Sequence, residues 1–466
     1  MSFSRRTFLA GAATGVTTLV LAACTPVRPA PTASPSVVPT PTSGVPLPSG
    51  VLRSNWGSDE FARGSHSFIA SHATPGQRAV LREPIAGRLF FAGEATSDER
   101  PATVEGASES GVRAATEILA IAEPGERIAV IGAGAAGAAA ASRLSDYGFE
   151  VTVIEARERT GGRIDTRTDD AWPLPVELGA AWAPERGSSV SLRLASLGIS
   201  TAPVEGDTAV RVSDGEDVGA SDTGENAIAS ALAWARERPD DVSVTEAIAG
   251  SNPDLSEGGA PPTPADRVAA TLLQQIGIGR GADPEALSAW YGFDEPAAPT
   301  EERVTDGYGA YVDALLEGLD VWLSTSVTAL SYGDNGVSIR LATGESASVD
   351  RAVLTVPLGV LKDEGIGFDP ALPFERRAAI ADLGFATTDT VWVRFDEVFW
   401  DTDAVRWSVL GSELPITEWV NLEPSTGEPV LVGLVAGAQG AALAELDEAG
   451  VIEAVTESLL PFSAER

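Results

Sequence analysis

The sequence predicts an α/β fold: a Rossmann-like, parallel-sheet nucleotide-binding domain in a chain long enough for more than one core. Three observations carry that prediction. Residues 128–155, "IAVIGAGAAGAAAASRLSDYGFEVTVIE", run from an apolar strand through a glycine turn and an Ala-rich helical stretch to a second apolar strand that ends on an acid. Upstream, Leu89 to Ala92 reads as a strand and Thr103 to Ala120 as a helix, and the turn "AEPGER" leads on to the strand Ile128 to Ile131. Finally, 466 residues with 44% hydrophobic content are enough for two or three cores rather than one.

The first residues read as an address. "SRRTFLAGAATGVTTLVLAAC" pairs Arg5 and Arg6 ahead of an apolar stretch, Leu9 to Ala23, that is short for a bilayer span. It resembles a twin-arginine export signal, residues 1–23, closing on a lipoprotein box, Leu21-Ala22-Ala23-Cys24. An ordinary cleavage site with an incidental cysteine is the alternative. Cys24 is the chain's only cysteine, which favours the anchor. The expected location is therefore that of an exported cell-envelope lipoprotein on the outer side of the cytoplasmic membrane, touching lipid only through Cys24. Residues 24–50 form a tether, with eight prolines among Ser, Thr and Ala from residue 25 onward.

Composition excludes several partners. With 67 acidic and 32 basic residues the formal charge is -35, which repels nucleic acid and anionic lipid. One cysteine and two histidines, His66 and His72, leave no disulfide and no Cys/His zinc site, so no metal is expected.

In the nucleotide unit, Gly132 permits the tight turn, Gly134 lets the backbone approach a pyrophosphate and Gly137 allows close helix packing. Glu155 follows at the end of the second strand, placed for a ribose. The continuation, "EARERTGGRI" at 155–164 and "VELGAAWA" at 176–183, resembles the FAD-binding segment of the flavin-containing amine oxidase family. That resemblance implies cofactor contacts for Glu155, Arg157, Gly161, Gly162 and Arg163, and for Gly179 and Ala180 beside the flavin ring. Residues 327–362 resemble the family's returning strands, with Val327 in the adenine-holding position, and residues 383–400 and 429–446 resemble its substrate-domain strands. The family's closing section resembles "NWGSDEFARGSHSF" and "FFAGEATSDERPATVEGASESG", at residues 55–111 of this chain, ahead of the glycine turn. There Gly93 and Glu94 fall on the ribityl-binding turn, and Thr103 and Val104 open the helix aimed at the flavin N1 and O2 edge.

The resemblance thus implies a glutathione-reductase-type FAD domain and an interleaved, amine oxidase-like α+β substrate domain in circularly permuted order. The closing segment is 51–120, the FAD-binding domain 121–195, the helical part of the substrate domain 196–300, the returning strands 301–365, and the substrate sheet and helix 366–466. Two departures stand out. The family's paired aromatic positions fall on His66 and Thr103, and its flavin-N5 lysine falls on Thr390. His66 reads as a polar wall of the pocket, a general base with a pKa near neutrality, or a structural histidine. The expected activity is oxidation of a small amine to an imine by hydride transfer to non-covalently held FAD. Oxygen or another electron carrier would reoxidise the flavin. A desaturase-like flavoprotein and a non-catalytic flavin-bearing envelope module are the alternatives.

Overall fold

The computed structural model describes residues 44–256, 258–294 and 302–464; the stretches expected to be an export signal and a tether, up to residue 43 and with Cys24, lie outside the described residues. The folded body starts before the expected tether boundary at 50. Val45 is buried in a cluster with Phe395, Trp400, Trp407 and Phe462, and Gly50–Arg53 is already a strand. A proline-rich composition hides this, because one apolar side chain suffices to dock a segment whose backbone pairs with a sheet.

A five-stranded, wholly parallel sheet forms the nucleotide half, in the order Asp320–Trp322, Glu150–Ile154, Arg127–Ile131, Arg351–Leu354, Leu89–Phe91. Both faces are covered, as near-continuous apolar strands require. Ile128, Val130, Val151, Val153, Phe90 and Val353 pack against helices on one side. The alternate residues, among them Ala129, Ile131, Ile154, Leu354, Leu89 and Phe91, pack against a four-stranded sheet built around Val327–Gly333 and Gly336–Leu341.

The strand–helix–strand unit expected at 89–131 is present as Leu89–Phe91, Val104–Leu119 and Arg127–Ile131. Its strands are not neighbours, however: Arg351–Leu354 lies between them. The crossover helix therefore spans a strand that arrives from far along the chain. It packs tightly on the next helix, Ala135–Asp146, where a Cβ at Gly111 would stand 2.1 Å from the Ala136 carbonyl oxygen.

The second sheet has six strands, in the order Gly50–Arg53, Thr388–Arg394, Val430–Ala436, Glu418–Asn421, Arg406–Leu410, Thr208–Val212. Its pairs are antiparallel except the last. The stretch 196–300, expected to be helical, thus also lends an edge strand, besides the helices Thr223–Arg236, Val244–Ser251 and Pro264–Leu272. The helix Glu448–Leu459 supplies Val451, Val455 and Leu459 to the core beneath this sheet, and beyond it the Ser463 hydroxyl donates to the Gly44 carbonyl. The two ends of the described body therefore meet. Among the described residues no helix is long and apolar enough to cross a membrane.

Candidate active site

Where the two sheets approach one another, a cavity of about 420 Å³ opens. Sixteen of the seventeen site residues read from the sequence line it: Gly132, Gly134, Glu155, Arg157, Gly161, Gly162, Arg163, Gly179, Ala180, Val327, Gly93, Glu94, Thr103, Val104, His66 and Thr390. Gly137 does not line it. It sits behind the turn, where a Cβ would lie 1.9 Å from the Gly132 carbonyl oxygen, so its role is to let the helix close on the strand.

The cofactor side is built from backbone. Gly132 has φ +107°, which L side chains rarely adopt, and the turn it makes delivers the chain into the helix Ala135–Asp146. Gly134, at the N-cap, has no side chain to satisfy the first-turn N–H groups, so they are left for an anion. The Gly161 N–H donates to the Ala133 carbonyl at 2.9 Å, and a Cβ at Gly162 would stand 3.6 Å from the Gly134 Cα. Glu155 accepts from the Ala133 N–H at 2.7 Å and the Arg157 N–H at 2.8 Å, so it braces the glycine turn as well as facing the cavity. These features suit FAD: donors for a pyrophosphate, an acid for a ribose, and no side chain in the way.

At the far end, Glu94 is buried and well partnered. It accepts from Ser67 Oγ at 2.5 Å, the Ala102 N–H at 2.9 Å and Arg163 Nη1 at 3.0 Å. Burial pushes its carboxyl up, but Arg163 and Arg78 outweigh that and hold it below the usual range. Arg78, a residue the sequence did not single out, is fully buried and donates to Ser67 Oγ at 2.8 Å. Ala102, with φ +60°, is held in a left-handed conformation by the same carboxylate.

Thr103 is tied to the backbone as well as lining the cavity. Its Oγ1 accepts from the Gly106 N–H at 2.9 Å and donates to the Arg100 carbonyl at 2.8 Å, which makes it the cap of the helix Val104–Leu119. That helix points its positive end into the cavity, where a reduced flavin carries negative charge.

His66 is not a base poised near neutrality. Burial pulls its imidazole down to about 4, Glu94 opposes this, and Arg163 adds to it. Its Nδ1 lies 2.8 Å from Ser65 Oγ, and a Cβ at Gly281 would lie 2.3 Å from the same nitrogen. His66 is a neutral polar wall. Thr390 lines the cavity with its Oγ1 3.5 Å from the Leu178 carbonyl, and its N–H donates to Ser54 Oγ at 2.9 Å.

One buried group on the substrate side escaped the sequence reading. Across the sheet, Thr390 pairs with Leu434 and Leu434 with Glu418, so the three share one face. Glu418 is buried, accepts from Ser408 Oγ at 2.6 Å and Gln274 Nε2 at 3.1 Å, and burial pushes its carboxyl up to about 7. Gln274 belongs to a π-helical stretch, Leu273–Ile278, whose end residue Ile278 lines the cavity.

Residues 35–119 and 135–462 match the family of flavin containing amine oxidoreductases. Polyamine oxidase 4 of Oryza sativa subsp. japonica is 30% identical over 356 residues, covering 71% of this chain and 72% of the relative. Lysine-specific histone demethylase 2 of Homo sapiens is 27% identical over 353 residues, covering 70% of this chain and 42% of the relative. Among solved structures, putrescine oxidase bound to putrescine matches with a TM-score of 0.58 at 22% identity, covering 72% of this chain and 81% of that one. Cyclohexylamine oxidase from Brevibacterium oxydans matches with a TM-score of 0.58 at 19% identity, covering 73% and 82%. These likenesses show the fold, and together with the family match and the cavity they give one result: the chain belongs to the flavin-containing amine oxidoreductase family and is an FAD-dependent amine oxidase-type enzyme.

Proposed function

We propose that this enzyme oxidises small amines that carry a second ammonium group, in a circularly permuted form of the family fold exported as a lipoprotein. The observation that carries the substrate class is the row Thr390, Leu434, Glu418. Neighbouring strands lie about 4.8 Å apart, so Glu418 sits roughly 10 Å from the Thr390 position, the span of a short diamine. Glu418 lies behind Leu434 and not on the cavity lining, so its carboxylate would hold the distal ammonium once Leu434 moves aside, while the reacting carbon faces the flavin.

FAD, when bound, supplies the hydride acceptor. Around it the chain binds and orients. Glu94, tied to Arg163 and Ser67, is placed for the ribityl chain, and the Val104–Leu119 helix end favours negative charge at the ring. His66 contributes a neutral polar wall. Thr390 has a hydroxyl where relatives of this family have an ammonium, which makes reoxidation by oxygen slow and leaves room for another acceptor. The lone cysteine, Cys24, lies outside these segments, so the cofactor is held without a thioether bond.

Three findings support the permuted order. The family match falls in two stretches that part between 119 and 135. Gly50–Arg53 pairs with Thr388–Arg394, and Ser463 reaches Gly44, so the ends lie where an unrotated chain would run on. Flavin bleaching by a panel of mono-, di- and polyamines under anaerobic conditions tests the activity; bleaching by monoamines alone would remove the second-ammonium reading. Loss of FAD binding on deletion of 51–120 is the result expected of the permutation. For the anchor, Cys24→Ala should shift the protein from membranes to the soluble fraction, and identical partition of both forms would leave only a plain export signal.

A further inference from the structure

Loop 54–65 lends Trp56, Glu60, Phe61, Arg63 and Ser65 to the cavity lining, and two ion pairs of unequal burial fasten it. On one side Arg157 grips Asp59 with both terminal nitrogens, at 2.7 and 2.6 Å, and lies over the Phe61 ring at 5.5 Å. On the other, Arg63 pairs with Asp363 at 3.0 Å. The side chains of the first pair are 14% and 23% exposed, those of the second 41% and 55%. Arg163 fastens the end of the loop by donating to the Ser65 carbonyl at 2.6 Å. Arg157, Arg163 and Asp363 themselves line the cavity, as do Phe61 and Arg63 from the loop.

The loop has a held shape of its own. Phe61 N–H donates to Asp59 Oδ1 at 2.9 Å, Arg63 N–H to the Asp59 carbonyl at 2.8 Å, and Gly64 N–H to the Trp56 carbonyl at 2.9 Å. Arg63 itself is left-handed, with φ +59°. Behind the loop, Asp389 accepts from Ser54 Oγ at 2.7 Å and the Trp56 N–H at 2.9 Å, which anchors its root to the substrate sheet. The root and the fold of the loop are thus fixed independently of Arg157, while its attachment to the cofactor side depends on charge. Burial pushes the Asp59 carboxyl up, yet Arg157 holds it below the usual range, so the pair is intact throughout the neutral range.

We propose that residues 59–65 are a strap that retains the bound cofactor, and that Asp59 is its positioning residue, acting through Arg157. The glycine turn binds the nucleotide from below with backbone donors alone, and with no thioether bond a strap on the cavity lining is what limits escape. The exposed Arg63–Asp363 pair is the weaker fastening, since solvent and salt screen it.

The test uses the full-length holoenzyme. Release of FAD is followed after dilution as the rise in fluorescence of free flavin, for wild type, Asp59→Asn, Asp59→Glu and Arg63→Met. Asn keeps the acceptor for the Phe61 N–H but not the charge. Asp59→Asn is expected to release FAD about tenfold faster, the scale of losing a charged, two-pronged hydrogen bond that is partly screened. Arg63→Met should give roughly a twofold rise that vanishes in high salt. Asp59→Glu, which keeps the charge, should stay within about threefold of wild type, and the melting temperature of apo-protein should be equal for wild type and Asp59→Asn. Release at the wild-type rate in Asp59→Asn overturns the proposal. So does faster release accompanied by a lower apo melting temperature and no rescue by Asp59→Glu, because that pattern belongs to a merely structural contact.

Discussion

The two walls of the cavity recognise by different means. The parallel-sheet wall offers backbone: the Gly132 turn, uncapped N–H groups at Gly134, and a helix end at Thr103. The antiparallel wall offers side chains: Thr390, Leu434 and, behind them, Glu418. Backbone recognition is set by the path of the chain and tolerates little, because every donor moves if the turn moves. Side-chain recognition can be changed one residue at a time, with the fold untouched. On the function proposed here, the first wall keeps the cofactor and the second chooses the substrate.

The largest effect should come from breaking the backbone wall. In Gly137→Ala the new Cβ would meet the Gly132 carbonyl at 1.9 Å, with backbone on both sides of the clash. Neither the helix nor the strand can yield without displacing the first-turn donors. We expect protein purified from this variant to be colourless and to take up no added FAD, as read by the flavin absorbance bound after gel filtration.

That wall is also the part the sequence exposes. Gly132, Gly134, Gly137 and Glu155 lie within one short run, and their spacing is dictated by local geometry, so the pattern is visible without knowing the rest of the fold. Glu94 and Val104 were legible through the resemblance to the family, which puts one at the end of a strand and the other at the start of a helix. The partners that matter elsewhere are remote: Arg157 finds Asp59 across 98 positions, and Gln274 finds Glu418 across 144. No periodicity announces such pairs. His66 was located but not understood, because its ionisation depends on burial against Gly281 and on Arg163, which only the folded chain brings near.

On the side-chain wall, Glu418→Gln should leave flavin binding intact and reduce kcat/KM for a short diamine about tenfold to a hundredfold, the equivalent of one charged hydrogen bond of about 1.5–3 kcal/mol. A monoamine of similar length should change by less than about threefold. The pH profile sharpens the comparison. With its carboxyl near 7, Glu418 becomes charged as pH rises, so diamine kcat/KM in the wild type should climb through that region. The variant should lack the inflection. Stability moves oppositely: a carboxyl raised from 4.5 to about 7 makes the native state lose stability as pH rises through that window. Glu418→Gln should therefore be more stable than wild type at pH 8, by about 1–3 kcal/mol, with the gap closing at low pH. Equal diamine and monoamine losses would show that Glu418 merely packs.

A smaller gain is expected at Thr390. Replacing it with lysine adds a positive charge on the cavity wall, and the side chain has open volume before it. Reoxidation of the reduced enzyme by oxygen, followed by stopped flow, should quicken by about tenfold, the lower end of the same charged-bond scale. An unchanged rate in a variant that still binds FAD and diamine would mean that threonine is not what slows the reaction.

The smallest change at neutral pH should come from His66. Its imidazole is already neutral there, held at about 4 by burial, so His66→Gln removes a polar wall and no charge. Activity should fall by less than about threefold, and the pH profile should show no lost step near 6.5. The informative difference lies in acid. An unfolded histidine takes up its proton near 6.5, whereas the folded one resists until about 4. Between those values the unfolded state binds more protons, so His66 costs the wild type stability as pH falls from 6.5, and the cost is complete below about 4. The melting temperature of His66→Gln should accordingly decline less than that of wild type over this interval, while the two run parallel above pH 7. Since the many carboxylates titrate alike in both proteins, the difference between the two curves isolates the histidine. Parallel curves down to pH 4 would mean that the imidazole is protonated in the native state, in which case the wall is charged and Glu94 has outweighed Arg163.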